Sequence, residues 1–249
     1  MGRLDGRVAL ITGAGSGFGE GIARKFVAEG ARVVIADINA EAGTGVADSL
    51  GASARFMHID VSRDADMAAG VAAAADGFGR LDILVNNAGY THRNAPMLEV
   101  TEEEFDRIYA VNVKSVYLGA RHAVPLFRAQ GGGVILNIAS TAGLRPRPGL
   151  TWYNGSKGAV ITLTKSMAVE LAPDSIRVCA LNPVAGETGM LHLFMGEDTP
   201  ERRAQFRATI PLGRFSQPRD VANAALFLCS DEAEFLTGVC LEVDGGRCI

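Results

Sequence analysis

The strongest constraint on the fold of this 249-residue chain is a series of short apolar runs separated by longer stretches of helical spacing. The runs occupy residues 8–11, 33–36, 56–59, 83–85, 134–138, 176–181 and 239–243. Apolar runs of this length, placed between helical segments, are typical of strands that are buried on both faces. They predict an α/β fold in which one parallel sheet of seven strands is wrapped by helices.

The segments between these runs carry helix signals. Phe18, Ile22 and Phe26 fall on one helical face after the first run, and Gly30 suits the left-handed turn that ends such a helix. Thr101 begins a capping-box sequence, and the pattern at residues 112–127 predicts a further helix. Each strand, helix and strand in succession predicts a right-handed crossover.

The chain shows no linker, internal repeat or low-complexity tract that would divide it. Residues 1–249 are therefore predicted to form one domain. The segment at about 184–217 departs from the alternation of strands and helices and is rich in polar and flexible residues. We expect this segment to be a lid that closes over substrate.

Composition excludes several classes of partner. With 24 basic and 28 acidic residues the net charge is -4, and no Lys/Arg block is present. We therefore do not expect the chain to bind nucleic acid. The four cysteines and four histidines lack metal-ligand spacing, so no metal site is predicted. Because no apolar run approaches the roughly 18 residues of a membrane span and the N-terminus lacks an apolar signal core, we expect a cytoplasmic protein.

A glycine-rich sequence, TGAGSGFG at residues 12–19, joins the first strand to the first helix. Glycines in that position let the main chain approach a pyrophosphate, and the amides at the helix N-terminus then face the anion. This context predicts a Rossmann-type, doubly wound fold that binds a dinucleotide. The alternative is a glycine-rich turn with no ligand.

Asp37 ends the second strand, about 20 residues beyond the glycines. A carboxylate there can hydrogen-bond both ribose hydroxyls and would repel a 2′-phosphate, so it predicts NAD rather than NADP. A solvated aspartate at a strand end is the alternative interpretation. Asp60 and Val61, just past the third strand, are predicted to border the adenine.

Tyr153 and Lys157 lie four residues apart at the start of a helical stretch, so their side chains share one face. An ammonium group favours a phenolate, and the pair therefore predicts a tyrosine of lowered pKa that accepts a proton from an alcohol. The alternative is a surface pair. Ser140 ends a buried strand at the ligand-binding edge of the sheet, where its hydroxyl can hold a substrate oxygen.

These segments, together with NNAG at residues 86–89 and Asn112, resemble the short-chain dehydrogenase/reductase family over essentially the whole chain. The resemblance implies that Tyr153 is the acid/base, that Lys157 binds the nicotinamide ribose and tunes Tyr153, that Ser140 positions the carbonyl, and that Asn112 maintains a water relay. The residues expected to bind NAD are Gly13, Ser16, Gly17, Phe18, Gly19, Asp37, Ile38, Asp60, Val61, Asn87, Ala88, Gly89, Tyr153, Lys157, Pro183, Gly186 and Thr188.

The chain departs from the family pattern after the sixth strand. The family has Asn-Pro-Gly there, whereas this sequence reads NPVAGET and places Val184 at the glycine position. Because of this departure, the sequence does not predict the path of the main chain beside the nicotinamide.

Substrate residues are predicted from the loop that follows Ser140. Arg145 and Arg147 are flanked by prolines and can offer planar donors to a carboxylate or sulfonate, although two solvated arginines are the alternative. Trp152 is expected in the pocket wall and His92 as a possible substrate contact, although an isolated loop histidine is more often solvated. Further segments, among them residues 91–94 and 194–200, resemble family members that act on an aromatic aldehyde with an anionic group.

The predicted activity is hydride transfer between NAD and an alcohol or carbonyl substrate. The alternatives are a 3-oxoacyl-acyl-carrier-protein reductase or a sugar dehydrogenase and, in another class, a non-catalytic NAD-sensing module. Apolar residues on several faces of the helices near Asn112 and Trp152 predict a homo-oligomer, with a homotetramer favoured by the resemblance, although core packing is an alternative explanation.

Overall fold

The structure is a computed structural model that describes residues 2–249. Its centre is one parallel sheet in the order β3-β2-β1-β4-β5-β6-β7. The strands are β1 (Val8–Thr12), β2 (Arg32–Asp37), β3 (Ala54–His58), β4 (Ile83–Asn86), β5 (Gly133–Ile138), β6 (Ile176–Pro183) and β7 (Cys240–Val243). All seven predicted strands are present, and the doubly wound α/β fold is confirmed.

Nine α-helices accompany the sheet within residues 2–249. They are α1 (Gly17–Ala28), α2 (Ala40–Leu50), α3 (Asp64–Phe78), α4 (Glu102–Tyr109), α5 (Ser115–Gln130), α6 (Thr151–Leu171), α7 (Leu191–Met195), α8 (Pro200–Ala208) and α9 (Pro218–Cys229). The capping box predicted at Thr101 begins α4, and Gly30 has a φ of 89° just after α1. A π-helical segment, Ala110–Lys114, joins α4 to α5, so the helix predicted from Asn112 begins inside this distorted turn.

Two apolar layers hold the helices on the sheet because successive strand residues face opposite sides. On one side Ile11 and Ile35 pack with residues of α1, α2 and α9. On the other side Leu10 and Val34 pack with residues of α3, α5 and α6. The inner strands are therefore buried on both faces, as predicted.

The prediction that strands are buried on both faces is wrong for the two edge strands. Side chains of β3 and β7 are partly exposed in the isolated chain, whereas every residue of β1 and β4 is buried. An edge strand has a neighbour on one side alone, and the helices over the sheet cover its rim incompletely.

The predicted lid segment contains α7 and α8 and has a small apolar cluster of its own. Val184, Leu191, Met195, Ile210 and Phe215 are the buried residues of this cluster. A parallel bridge between Gly186 and Ser216 holds the two ends of the segment side by side. The segment is also tied to neighbouring loops by main-chain bonds, from the amide of Asn94 to the carbonyl oxygen of Leu193 and from the amide of Leu212 to that of Gly245. No helix within residues 2–249 is long and apolar enough to cross a membrane.

Candidate active site

A cavity of about 450 Å³ lies at the carboxyl ends of β1, β2, β4, β5 and β6. The strand order reverses between β1 and β4, which is where ligands bind in open sheets of this type. The cavity wall includes these predicted NAD-binding residues: Gly13, Ser16, Gly17, Phe18, Asp37, Ile38, Asp60, Val61, Asn87, Ala88, Gly89, Tyr153, Lys157, Pro183, Gly186 and Thr188. Tertiary structure therefore brings almost the whole predicted set to one surface.

The glycine-rich turn fits a dinucleotide because its glycines have two different structural roles. Gly13 and Gly17 have φ values of 62° and 58°, a conformation that side chains disfavour. Gly19 lies behind the cavity wall, where a Cβ atom would collide with the carbonyl oxygen of Gly13 and the side chain of Asn87. Gly19 therefore permits close packing of α1, while Ser16 makes no side-chain cap and leaves the first amides of α1 facing the cavity.

Asp37 connects the end of β2 to the glycine-rich turn. Its Oδ2 accepts a hydrogen bond from the amide of Gly15 at 2.8 Å, and its Oδ1 accepts one from the amide of Asn39 at 2.9 Å. These bonds direct a carboxylate to the adenosine end of the cavity, beside Ile38 and Asp60. Burial opposes ionisation of Asp60, but hydrogen bonds from Ser62 outweigh it and hold the pKa of this carboxyl below its ordinary value.

The loop after β4 is tied to the same turn. The side-chain amide of Asn87 donates to the carbonyl oxygens of Thr12 and Gly13 at 2.8 and 3.0 Å. The hydroxyl of Thr12 in turn accepts hydrogen bonds from the amides of Asn87 and Ala88 at 3.0 and 3.1 Å. The two loops on either side of the reversal point are therefore held as one rigid wall.

Ser140, Tyr153 and Lys157 line the other end of the cavity. The hydroxyl of Ser140 accepts from the amide of Ala142 at 3.1 Å. Lys157 Nζ lies 5.8 Å from the centroid of the Tyr153 ring and donates to the carbonyl oxygen of Ile138 at 2.8 Å. The alternative interpretation, a surface pair, is excluded because Tyr153 and Lys157 are 6% and 4% exposed.

The electrostatics of this pair differ from the prediction. Burial raises the pKa of Tyr153 to about 12, and a hydrogen bond with Ser140 only partly opposes that rise. Burial also lowers the pKa of Lys157 to about 8. The expectation of a lowered tyrosine pKa is wrong for the protein without bound cofactor, because removal of both groups from water outweighs their mutual attraction.

Asn112 lies in the π-helical segment, behind the cavity wall. Its Oδ1 accepts from the amide of Tyr90 at 2.8 Å, and its Nδ2 donates to the carbonyl oxygen of Tyr90 and to Ser156 Oγ, both at 2.9 Å. Ser156 Oγ then donates to the carbonyl oxygen of Tyr153 at 2.7 Å. Asn112 thus connects the loop after β4 to the first turn of α6, and its water relay stays a prediction.

Val184 is accommodated without strain at the position where the family has glycine. Its side chain packs into the lid cluster, and its amide donates to the carbonyl oxygen of Val243 at 3.2 Å. Close packing is instead found at Gly186, where a Cβ atom would collide with the ring of Phe18. Thr188 follows close to the glycine-rich turn, with its Cγ2 3.3 Å from the Cβ position of Gly17.

The two predicted substrate arginines have different positions. Arg147 lines the cavity, places its guanidinium 4.0 Å from the ring centroid of Phe206 and donates to Thr209 Oγ1 at 3.1 Å. Arg145 lies outside the cavity wall and donates instead to the main-chain oxygen of Arg247. The expectation for Arg145 is corrected because the last residues of the chain occupy its donors.

His92 and Trp152 also lie outside the cavity wall. His92 is 2% exposed, with Nδ1 2.7 Å from the carbonyl oxygen of Arg93. Trp152 packs edge-on against Phe105 and donates from Nε1 to the carbonyl oxygen of Met97 at 3.1 Å. Local contacts of their own loops hold both side chains, so neither is placed as a substrate residue.

Several cavity residues were not predicted. Tyr90 and Arg107 stack with 4.2 Å between the guanidinium and the ring centroid, near Asp60. Met190, Phe194 and Phe206 enter from the lid. Spacing along the chain carries no signal for these residues, although the aromatic residues of the lid segment are a compositional hint. Within residues 2–249 no group of His, Cys, Asp and Glu side chains could hold a metal ion.

Comparison with known proteins agrees with this architecture. A family model described as enoyl-(acyl carrier protein) reductase matches residues 13–247. The chain is 56% identical over 98% of both lengths to 4-formylbenzenesulfonate dehydrogenase TsaC1/TsaC2 from Comamonas testosteroni.

Two solved structures share the fold over nearly the whole chain. One is 3-ketoacyl-(acyl-carrier-protein) reductase from Brucella melitensis complexed with NADH, with a TM-score of 0.94, 52% identity and coverage of 99% of this chain and 100% of that one. The other is 7α-hydroxysteroid dehydrogenase complexed with NADH and 7-oxo glycochenodeoxycholic acid, with a TM-score of 0.92, 39% identity and coverage of 98% and 95%.

Proposed function

The chain belongs to the short-chain dehydrogenase/reductase family, and from that premise we propose that it transfers a hydride between NAD(H) and an alcohol or carbonyl substrate. The observation that carries the proposal is the presence of Ser140, Tyr153 and Lys157 in the same cavity as the glycine-rich turn. The NADH complexes of two structural relatives support the choice of cofactor. When bound, NAD(H) supplies or accepts the hydride, and the side chains handle the proton.

In the reducing direction Tyr153 is the proton donor. Its raised pKa keeps the hydroxyl protonated at neutral pH, which is the form that reduction of a carbonyl requires. Ser140 holds the substrate oxygen beside that hydroxyl and stabilises the negative charge that develops on it. In the oxidising direction Tyr153 accepts the proton, so that direction is favoured at higher pH.

Lys157 has a positioning and electrostatic role. Its bond to the carbonyl oxygen of Ile138 fixes the ammonium group at the end of β5, and its remaining donors face the cavity that the nicotinamide ribose would enter. A cofactor hydroxyl would add a hydrogen-bond partner and favour the charged form of the lysine. A charged Lys157 then eases loss of the Tyr153 proton.

For the substrate we propose an aromatic aldehyde or alcohol with an anionic group. The support is the activity named for the Comamonas testosteroni relative and the aromatic character of the lid residues in the cavity. A 3-oxoacyl thioester is the second candidate, favoured by the reductase named in the solved structure that is 52% identical. A sugar substrate has no comparable support.

The deciding experiment is a turnover screen followed by NADH absorbance. The panel contains 4-formylbenzenesulfonate, 4-formylbenzoate, benzaldehyde, acetoacetyl thioester and glucose, each with the appropriate form of NAD(H) and NADP(H). We expect the highest kcat/KM with an anionic benzaldehyde and NADH. Tight NADH binding without turnover of any substrate would favour the NAD-sensing module instead.

We further propose that residues 184–217 form the substrate lid of a single domain. We also propose that the protein assembles as a cytoplasmic homotetramer. The lid is supported by the bridge between Gly186 and Ser216, which brings the two ends of the segment together, and by the lack of buried residues in α8. The tetramer is supported by apolar side chains of α5 and α6 that remain exposed in the isolated chain, Tyr117 at 55% and Val169 at 79%. The four free cysteines suit a reducing compartment. Light scattering during gel filtration tests the assembly, and a monomeric mass would contradict it.

A further inference from the structure

Arg147 carries a positive charge inside the cavity, and no carboxylate within residues 2–249 forms an ion pair with it. Its side chain is half-buried, and its two contacts are the ring of Phe206 and the hydroxyl of Thr209. Burial, together with the positive charges of Arg247 and Arg145, lowers its pKa to about 10. A partly desolvated cation among other cations is unfavourable until an anion joins it.

Two further arginines lie near Arg147, and Asp244 is the carboxylate that acts on one of them, Arg247. Arg247 is 7% exposed, and its Nε and Nη1 have no hydrogen-bond partner within residues 2–249. Arg145 Nη1 donates to the main-chain oxygen of Arg247, so the two side chains belong to one cluster. We name Arg145, Arg147 and Arg247 the arginine cluster. Only Arg147 of this cluster lines the cavity.

Arg147 is also fixed relative to the catalytic helix. The side chain of Asn154, next to Tyr153, donates to the carbonyl oxygen of Arg147 at 2.9 Å. The ring of Phe194 lies 5.3 Å from that of Tyr153, and Phe206 covers Arg147. An aromatic lining thus accompanies both the proton donor and the guanidinium in one cavity.

We propose that Arg147 is the specificity-determining residue that binds the carboxylate or sulfonate of an aromatic carbonyl substrate, while Ser140 and Tyr153 hold its reacting oxygen. This inference rests on the proposed function. The planar guanidinium can offer two parallel donors to either anion. Arg145 and Arg247 strengthen the attraction through their charge and make no contact with the substrate.

The test compares matched substrates and variants at saturating NADH. The substrates are 4-formylbenzoate, its sulfonate counterpart and the neutral methyl 4-formylbenzoate. The variants are Arg147→Met, which removes the charge at similar length, and Arg147→Lys, which keeps it. Arg207→Met is the control, because Arg207 is exposed on α8 next to Phe206 and its loss changes the net charge equally.

We expect Arg147→Met to raise KM for both anionic aldehydes about tenfold, equivalent to about 1.4 kcal/mol, and to change KM for the ester less than twofold. Arg147→Lys should recover part of the loss, and Arg207→Met should leave all three substrates unchanged. A loss confined to one anion would support the site and identify its ligand. An equal rise in KM for the anionic and neutral substrates would overturn the inference and leave Arg147 as a support for the lid. An unchanged KM for all three substrates would overturn it as well.

A binding measurement separates this inference from the proposed function. Calorimetric titration of benzenesulfonate into the complex of protein and NAD⁺ requires no turnover. Weaker binding by about tenfold in Arg147→Met, in a protein that reduces none of the aldehydes, would support the anion site and refute the proposed activity. Turnover of the neutral ester with unchanged benzenesulfonate binding in the variant would refute the anion site and leave the activity standing.

Discussion

Tyr153 and Lys157 show how one physical cause displaces two pKa values in opposite directions. Burial disfavours the charged form of each group, so the pKa of the tyrosine rises to about 12 and that of the lysine falls to about 8. The sequence pattern suggests attraction between the two groups, but their removal from water dominates. The free protein therefore holds a protonated tyrosine that is ready to reduce a carbonyl.

Replacement of Tyr153 by Phe should abolish turnover and preserve cofactor binding. The ring can still pack against Phe194, whereas the transferable proton is lost, and general acid catalysis contributes about 100-fold or more. Steady-state kinetics and NADH fluorescence titration measure the two effects. A variant that kept more than about a tenth of the wild-type rate would remove Tyr153 from the mechanism.

Lys157 should make stability depend on pH. Between the folded-state pKa of about 8 and the ordinary lysine pKa of 10.5 the unfolded chain holds a proton that the folded chain has lost, so stability rises with pH in this window. From pH 7 to pH 10, the unfolding free energy of the wild type should rise by about 2 kcal/mol more than that of Lys157→Met. Urea denaturation without cofactor measures both. Lys165→Met, at an exposed position of α6, is the control and should show no such gain. A parallel pH profile for wild type and Lys157→Met would contradict the lowered pKa of the buried lysine.

Asp37 should set the cofactor preference. Asp37→Asn keeps an acceptor for the amide of Gly15 but removes the charge that repels a 2′-phosphate, so the ratio of kcat/KM for NADH over NADPH should fall at least about tenfold. Glu41→Gln, at an exposed carboxylate at the start of α2, is the control and should leave the ratio near the wild-type value. A wild-type protein that used NADPH as well as NADH would already refute the role.

At the scale of elements, the glycine-rich turn works because α1 packs directly on the loops beneath it. Apolar periodicity predicted α1 and its strands, since burial of one face dictates both. It did not predict the π-helical segment, where an extra residue in the turn brings Asn112 toward Tyr90 and Ser156. A distortion of this kind is set by side-chain contacts across elements and leaves no periodic pattern.

Gly19→Ala tests this packing. The added methyl group would collide with the carbonyl oxygen of Gly13 and with Asn87, so we expect a loss of about 1–3 kcal/mol in unfolding free energy together with weaker NADH binding. Gly45→Ala is the control, because a Cβ there meets nothing within 4 Å. That variant should gain about 0.5–1 kcal/mol from helix propensity alone. Equal stability of the two variants, measured by urea denaturation, would show that α1 does not press on the turn.

In the molecule as a whole, the outer helix of the lid, α8, is held by fewer buried side chains than α9. No residue of α8 is fully buried, whereas six residues of α9 are. We expect hydrogen exchange at residues 191–208 to be faster than in α9 for the free protein, and to slow at least about tenfold when NAD⁺ and benzenesulfonate bind. The amides of α9 serve as the internal control. Unchanged exchange in the lid segment on binding both ligands would refute closure.

The order of residues was sufficient to predict the sheet, the position of the glycine-rich turn and the choice of Ser140, Tyr153 and Lys157 as candidate site residues. These features depend on local periodicity, on glycine conformation and on short spacings, which the order of residues carries directly. The directions of the loop side chains emerge from the folded chain: Arg147 lines the cavity and Arg145 turns to the last residues of the chain, while His92 and Trp152 pack away from the cavity. Loop side chains take their direction from contacts with distant segments, and burial of Tyr153 and Lys157, which sets their pKa values, arises only when those segments close over them.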